Sequence, residues 1–195
     1  MTTEPELEAT AAIAQQLIRF DTSNYGEGVS NSETEAAEYL GSLLENLGLK
    51  TTYVDSDPGR TSVVARIEGS DPSLPALVVH GHTDVVPADP DNWSVDPFGG
   101  IVKDGMLWGR GAVDMKNMDA MIVTALQDIL GEGRQPKRDL VVAFFADEEA
   151  GGVRGSHHLV TQHPELFAGA TEAISEVGGY SVTINDQRAY LLQTE

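Results

Sequence analysis

Four short segments bring imidazole and carboxylate groups to places where the chain changes direction. They are His80-Gly81-His82-Thr83-Asp84, Gly109-Arg110-Gly111-Ala112-Val113-Asp114, Asp147-Glu148-Glu149 and Ser175-Glu176-Val177-Gly178-Gly179. Carboxylates gathered a few ångströms apart repel and raise one another's pKa, so a site built from all four segments calls for cations. A pair of divalent metal ions would supply that charge. Nitrogen and oxygen donors without sulfur suit zinc, cobalt or manganese, and spacing does not choose among them. The chain has no cysteine, which excludes disulfides, zinc fingers and thiolate metal sites.

His82-Thr83-Asp84 fits the pattern in which a ligating histidine donates its other ring N–H to a carboxylate. His80 stands two residues earlier and would share the face of a regular strand. Periodicity therefore leaves open which of the two histidines binds.

The elements that must position these groups alternate in type. Pro5 to Phe20 carries Leu7, Ala11, Ala14, Leu17 and Ile18 at helical spacing, and Asp21 to Gly26 ends it in turn residues. Ser32 followed by Glu35 reads as a capping box. It opens a helix with Ala36, Tyr39, Leu40, Leu43, Leu44 and Leu47 on one face and Gly48 at its end. Strands are expected at Lys50 to Val54, Ser62 to Ile67 and Ala76 to His80, and a hairpin at Ile101 to Trp108 turning on Asp104-Gly105. A long helix from Met115 to Leu130, a buried strand from Leu140 to Ala146, a short helix from Gly155 to His163 and a strand beginning at Ala173-Ile174 follow. Helices alternating with apolar strands predict a layered α/β fold with a central sheet covered on both faces. Parallel strands in such a sheet deliver their C-terminal ends, and the four segments, to one edge.

Composition narrows the function. With 195 residues, 41% hydrophobic and 22% charged, the chain is that of an ordinary globular protein, and no stretch has the length of a membrane span. The acidic start Met1-Thr2-Thr3-Glu4 lacks the basic and apolar regions of a secretory signal, so a cytoplasmic protein is expected. A formal charge of −19 argues against a nucleic-acid partner.

The motifs carry a specific resemblance. Val78 to Pro87 reads V-V-H-G-H-T-D-V-V-P, Trp93 precedes Asp96-Pro97-Phe98-Gly99-Gly100, and Asp104 to Lys116 reads D-G-M-L-W-G-R-G-A-V-D-M-K. Glu148-Glu149 and Glu176-Val177-Gly178-Gly179 continue the order. This succession resembles the two-zinc exopeptidases and amidohydrolases that include acetylornithine deacetylase, succinyl-diaminopimelate desuccinylase, carboxypeptidase G and aminoacylase. The resemblance implies a three-layer α/β/α catalytic domain and hydrolysis of amide bonds in N-acyl amino acids or small peptides. It implies that His82 ligates one metal, Asp114 bridges both, Glu149 ligates the other and Glu176 completes the first site. Asp84 would orient His82, and Glu148 would be the general base. The glutamate at 176 looks more like the deacylases and desuccinylases than the aminopeptidases, and a cis peptide is implied at Asp114-Met115.

Complete relatives are longer. They add a lid domain and a returning catalytic segment that brings a histidine to the metal shared by Asp114 and Glu149. Residues 1–195 thus read as the N-terminal portion of the catalytic domain, incomplete and without the lid, with one full metal site in His82, Asp114 and Glu176. Weak or no catalysis by this chain alone is expected, together with exposed sheet edges that invite self-association or a complementary C-terminal chain. A non-catalytic metal-binding fragment is the alternative reading, and a purely structural acidic domain leaves the ordered motifs unexplained. Several residues have plainer roles. His157, His158 and His163 read as surface residues; Trp93, Phe98 and Trp108 as packing for the motif loops; Arg110 and Lys116 as partners of nearby acids or of a substrate carboxylate; Gly109 and Gly111 as backbone freedom beside the site. Met115, Met118 and Met121 read as the core face of a helix.

Overall fold

The computed structural model describes residues 7–176, 181–185 and 187–190. Val177-Gly178-Gly179 of the fourth motif lies outside them.

Helix α1 (Ala9–Ile18) is followed by a small strand pair, β1 (Asn24–Gly26) inside the stretch expected to be a turn and β2 (Val29–Ser30) just after it. Helix α2 (Thr34–Asn46) buries Ala36, Leu40 and Leu44 completely, and each fully buried leucine contributes about 1.5–3 kcal/mol. The capping box does not form. Glu33 stands at the N-cap without a side-chain cap, and Ser32 Oγ accepts the Thr34 N–H at 3.1 Å. Glu33 turns inward instead, where the buried Arg60 pairs with it. Gly48 has the expected left-handed backbone, φ 80°, just past the helix.

Five strands form the central sheet in the order β3 (Thr51–Asp55), β4 (Thr61–Ile67), β8 (Leu140–Phe145), β5 (Ala76–His82), β9 (Ala170–Ile174). Strands β8, β5 and β9 are parallel, whereas β4 runs antiparallel to both of its neighbours, β3 and β8. The sheet is mixed, a property that apolar runs alone do not encode. Between β5 and β8 come the hairpin β6 (Ile101–Lys103) and β7 (Met106–Trp108) and helix α3 (Lys116–Gly131). The hairpin turns on Asp104 and Gly105, both at positive φ, as a two-residue turn of the mirror-image type requires. Helix α4 (Ser156–Gln162) and the antiparallel pair β10 (Ser181–Ile184) and β11 (Gln187–Tyr190) complete the order.

Helices α1, α2 and α3 cover one face, with Leu17, Leu40, Leu44, Val123 and Leu126 against Val63, Val142 and Phe144. On the other face Leu159 of α4, with Leu166 and Phe167 of a short turn, packs on Val64, Val78, Val141 and Phe145. These three layers carry out the expected architecture. The methionines behave differently from the expected core face. Met115 precedes α3 and is buried, Met118 packs partly on the core, and Met121 is 49% exposed.

Candidate metal centre

The three parallel strands end at one edge, and their C-terminal ends supply the site. His82 closes β5, the turn Asp147-Glu148-Glu149 follows β8, and Glu176 follows β9. Asp114 comes from the loop ahead of α3. The first turn of that helix must approach β5 closely. A Cβ at Gly81 would fall 2.1 Å from Asp119 Oδ1 and 3.1 Å from Met115 Cε, so only glycine fits there without movement.

The structure gives the two histidines different surroundings. His80 packs edge-on against Phe145, with ring centroids 5.3 Å apart. His82, 2% exposed, directs Nε2 to Asp114 Oδ1 at 3.2 Å, Glu176 Oε1 at 3.4 Å and Glu148 Oε2 at 3.6 Å. Its Nδ1 lies 2.9 Å from the Asp84 carbonyl oxygen and 3.5 Å from Asp84 Oδ1, so the orienting contact is shared between backbone and carboxylate. The His82 backbone N–H reaches Met115 Sδ at 3.3 Å, and the Asp114-Met115 peptide is cis.

Asp84 is fully buried and does more than face the imidazole. Its Oδ1 accepts the Glu148 N–H at 2.9 Å, and its Oδ2 accepts the Glu149 N–H at 3.1 Å and Asn24 Nδ2 at 2.8 Å. Burial works against its charge, but the contacts with His82 and Asn24 prevail and hold the carboxyl below the usual range.

The electrostatics are those of a cation seat. Burial opposes a charge on His82, yet Asp84, Glu148 and Asp119 outweigh it and push the imidazole up to about 10. Burial first, then Asp114, raises both Glu176 and Glu149, the latter to about 6. His82, Asp114 and Glu176 each offer a donor atom, and these atoms lie within 4.8 Å of one another. That donor set, nitrogen and carboxylate oxygen around a buried imidazole, fits a zinc-type ion.

Glu149 stands apart from this triad. Its Oε1 accepts the Val86 N–H at 3.2 Å. His158 and His163 pack on each other 5.8 Å apart on and just after α4, and His157 is exposed on the same helix. Among the described residues only the one triad gathers.

Two basic residues make contacts that local spacing does not show. Lys116 is fully buried, its pKa lowered to about 8 by burial, and its Nζ donates to the Phe20 carbonyl at 2.8 Å; it forms no ion pair among the described residues. Arg110 lies over the Trp93 ring at 5.3 Å, which makes Trp93 the packing residue it was expected to be. Four contributors escaped the sequence reading: Asn24, Glu33, Arg60 and Asp119. Asp119 is buried with neither oxygen hydrogen-bonded, and burial raises its pKa well above the carboxylate range. Its place in the first turn of α3, five residues after Asp114, gives no periodic signal, because residues five apart do not share a helix face. Arg60 and Asn24 sit far from every motif and carry no signal either.

Residues 78–189 match the sequence profile of peptidase family M20/M25/M40. The chain is 35% identical over 158 residues to succinyl-diaminopimelate desuccinylase of Delftia acidovorans, covering 79% of this chain and 39% of that protein. It is 36% identical over 134 residues to aminoacylase-1 of Sus scrofa, covering 68% and 33%. In structure it resembles an M20 family metallo-carboxypeptidase of Sulfolobus solfataricus, with a TM-score of 0.72 at 24% identity over 89% of this chain and 38% of that one. Human carnosine dipeptidase 1 aligns with a TM-score of 0.70 at 21% identity, over 89% and 40%. The chain thus spans about two-fifths or less of the length of these proteins.

Proposed function

We propose, for a chain that belongs to peptidase family M20/M25/M40, that it is the metal-binding part of a zinc-dependent hydrolase of amide bonds in N-acyl amino acids or small peptides. One observation carries this reading: the donor atoms of His82, Asp114 and Glu176 converge within 4.8 Å at the C-terminal edge of the parallel strands. His82, Asp114 and Glu176 would hold the first ion, with Asp114 and Glu149 facing a second; cobalt or manganese would suit the same donors. When bound, the metal supplies Lewis-acid polarisation of a carbonyl and acidifies water.

The chain's own residues then have defined tasks. Asp84 orients His82 and grips the backbone of the 148–149 turn. Glu148, its side chain 49% exposed and its Oε2 3.6 Å from His82 Nε2, reaches the open side of the centre. It acts as the general base, taking a proton from the attacking water and returning it to the leaving amine. No helix among the described residues is long and apolar enough to cross a membrane.

A second reading is favoured by the position of Glu149 and of the α4 histidines: a fragment that binds metal and becomes catalytic only with a complementary chain. The exposed β9, whose Ile174 is 52% accessible, and an apolar groove of about 320 Å³ between α3 and the sheet, lined by Val79, Met118, Met121 and Ile129, offer such a chain or a second copy a surface. The test is hydrolysis of N-acetyl amino acids by the zinc-loaded chain and by Glu148→Gln. Turnover lost in Glu148→Gln supports the first reading; equal turnover in both sinks the general-base role; zinc uptake without turnover supports the second.

A further inference from the structure

Among the described residues Arg60 and Lys116 are the arginine and lysine side chains that are buried, and they differ in what they hold. Lys116 caps a carbonyl. Arg60, 2% exposed, spans three acceptors: Nη1 pairs with Glu33, and Nη2 lies 3.2 Å from Asn24 Oδ1 and 3.3 Å from Asp147 Oδ1. The antiparallel direction of β4 explains its location. Val63 pairs with Phe144, and the Ala146 N–H donates to Ser62 Oγ at 3.0 Å, so the start of β4 sits where β8 ends.

Two arms lead from this guanidinium to the proposed centre. The direct arm ends on Asp147, a fully buried residue with left-handed backbone, φ 64°. Its Oδ2 accepts the Arg154 N–H at 2.9 Å and its carbonyl accepts the Gly152 N–H at 2.7 Å, closing the turn that presents Glu148 and Glu149. The second arm passes through Asn24, whose Nδ2 donates to Asp84 Oδ2 at 2.8 Å and to Asp147 Oδ1 at 3.2 Å. Asp84 in turn holds the Glu148 and Glu149 amides. Glu33, Asp84 and Asp147 are all fully buried, and a planar guanidinium with five donors is suited to serve several acceptors at once where an ammonium is not.

We infer that Arg60 is a positioning residue for the proposed centre: through Asp147 directly, and through Asn24 to Asp84, it fixes the turn that presents Glu148 and Glu149 beside His82. The inference rests on the functional reading above, and its test separates the two. Removing Arg60 alone would strand buried carboxylates and unsettle the fold, so the informative variant is Arg60→Gln combined with Glu33→Gln, compared with Glu33→Gln alone. The first readout is amide hydrogen exchange of the metal-free chain; the second is Co²⁺ titration followed by its visible spectrum.

The double variant should exchange the Glu148 and Glu149 amides at least about tenfold faster than Glu33→Gln, with β4 and β8 unchanged. Its Co²⁺ affinity should fall about tenfold or more, in the range that loss of a supporting shell costs, with an altered spectrum. Wild-type-like protection of both amides, or exchange accelerated evenly across the sheet as a general structural role would give, overturns the inference. Should the double variant fail to fold, Arg60→Lys decides: the same local loss supports the inference, and full protection overturns it. A parent chain that takes up no Co²⁺ contradicts the metal reading, and the exchange result then judges Arg60 by itself.

Discussion

Asp84 accepts the backbone N–H of Glu148 at 2.9 Å across 64 residues of sequence, so the carboxylate facing the imidazole of His82 also sets the height of the proposed general base. Its other oxygen holds Glu149. The end of β5 and the turn after β8 are thereby one mechanical unit.

Asp84→Asn should break that unit while keeping its shape. An amide presents at least one donor to N–H groups that need acceptors, and a buried unsatisfied donor costs about 1–3 kcal/mol. Urea denaturation should register that loss. Zinc affinity measured by chelator competition should fall about 10–100-fold; an unchanged affinity would remove Asp84 from the account.

Glu33 gives a pH dependence whose sign follows from its burial. Burial, partly offset by Arg60, raises its carboxyl from 4.5 to about 7. Between those values the folded chain binds more protons than the unfolded chain, so stability falls as pH rises through that window. The contribution is at most about 3 kcal/mol. Melting temperatures from pH 4.5 to 7.5 should decline more steeply for the parent chain than for Glu33→Gln. Parallel curves would mean that Glu33 does not titrate there.

Gly81→Ala should destabilise the chain by about 1–3 kcal/mol through overpacking, because the new Cβ would meet Asp119 Oδ1 at 2.1 Å. Combining it with Asp119→Ala removes the obstacle. A double-mutant cycle should show strong coupling of the two changes, and simple additivity would contradict the close approach of α3 to β5.

Much of this architecture is written locally. The apolar run Leu140 to Ala146 and the alternation of strands and helices predict β8 and the layers, and the motif order puts His82 and Glu176 at strand ends and Asp114 just ahead of a helix. What is not local was not legible. The reversed direction of β4 depends on partners distant in sequence, as does the Arg60 network that this direction permits. The Ser32-Glu35 capping box failed for the same reason: Glu33, between them, is claimed by a buried arginine that local spacing does not register.

The central claim is that His82, Asp114 and Glu176 form one metal seat. The direct measurement is zinc per chain by elemental analysis after loading and exhaustive dialysis, in the parent chain and in His82→Ala. About one tightly held zinc in the parent, lost in the variant, is the predicted result. No retained zinc, or equal zinc in both, would contradict it.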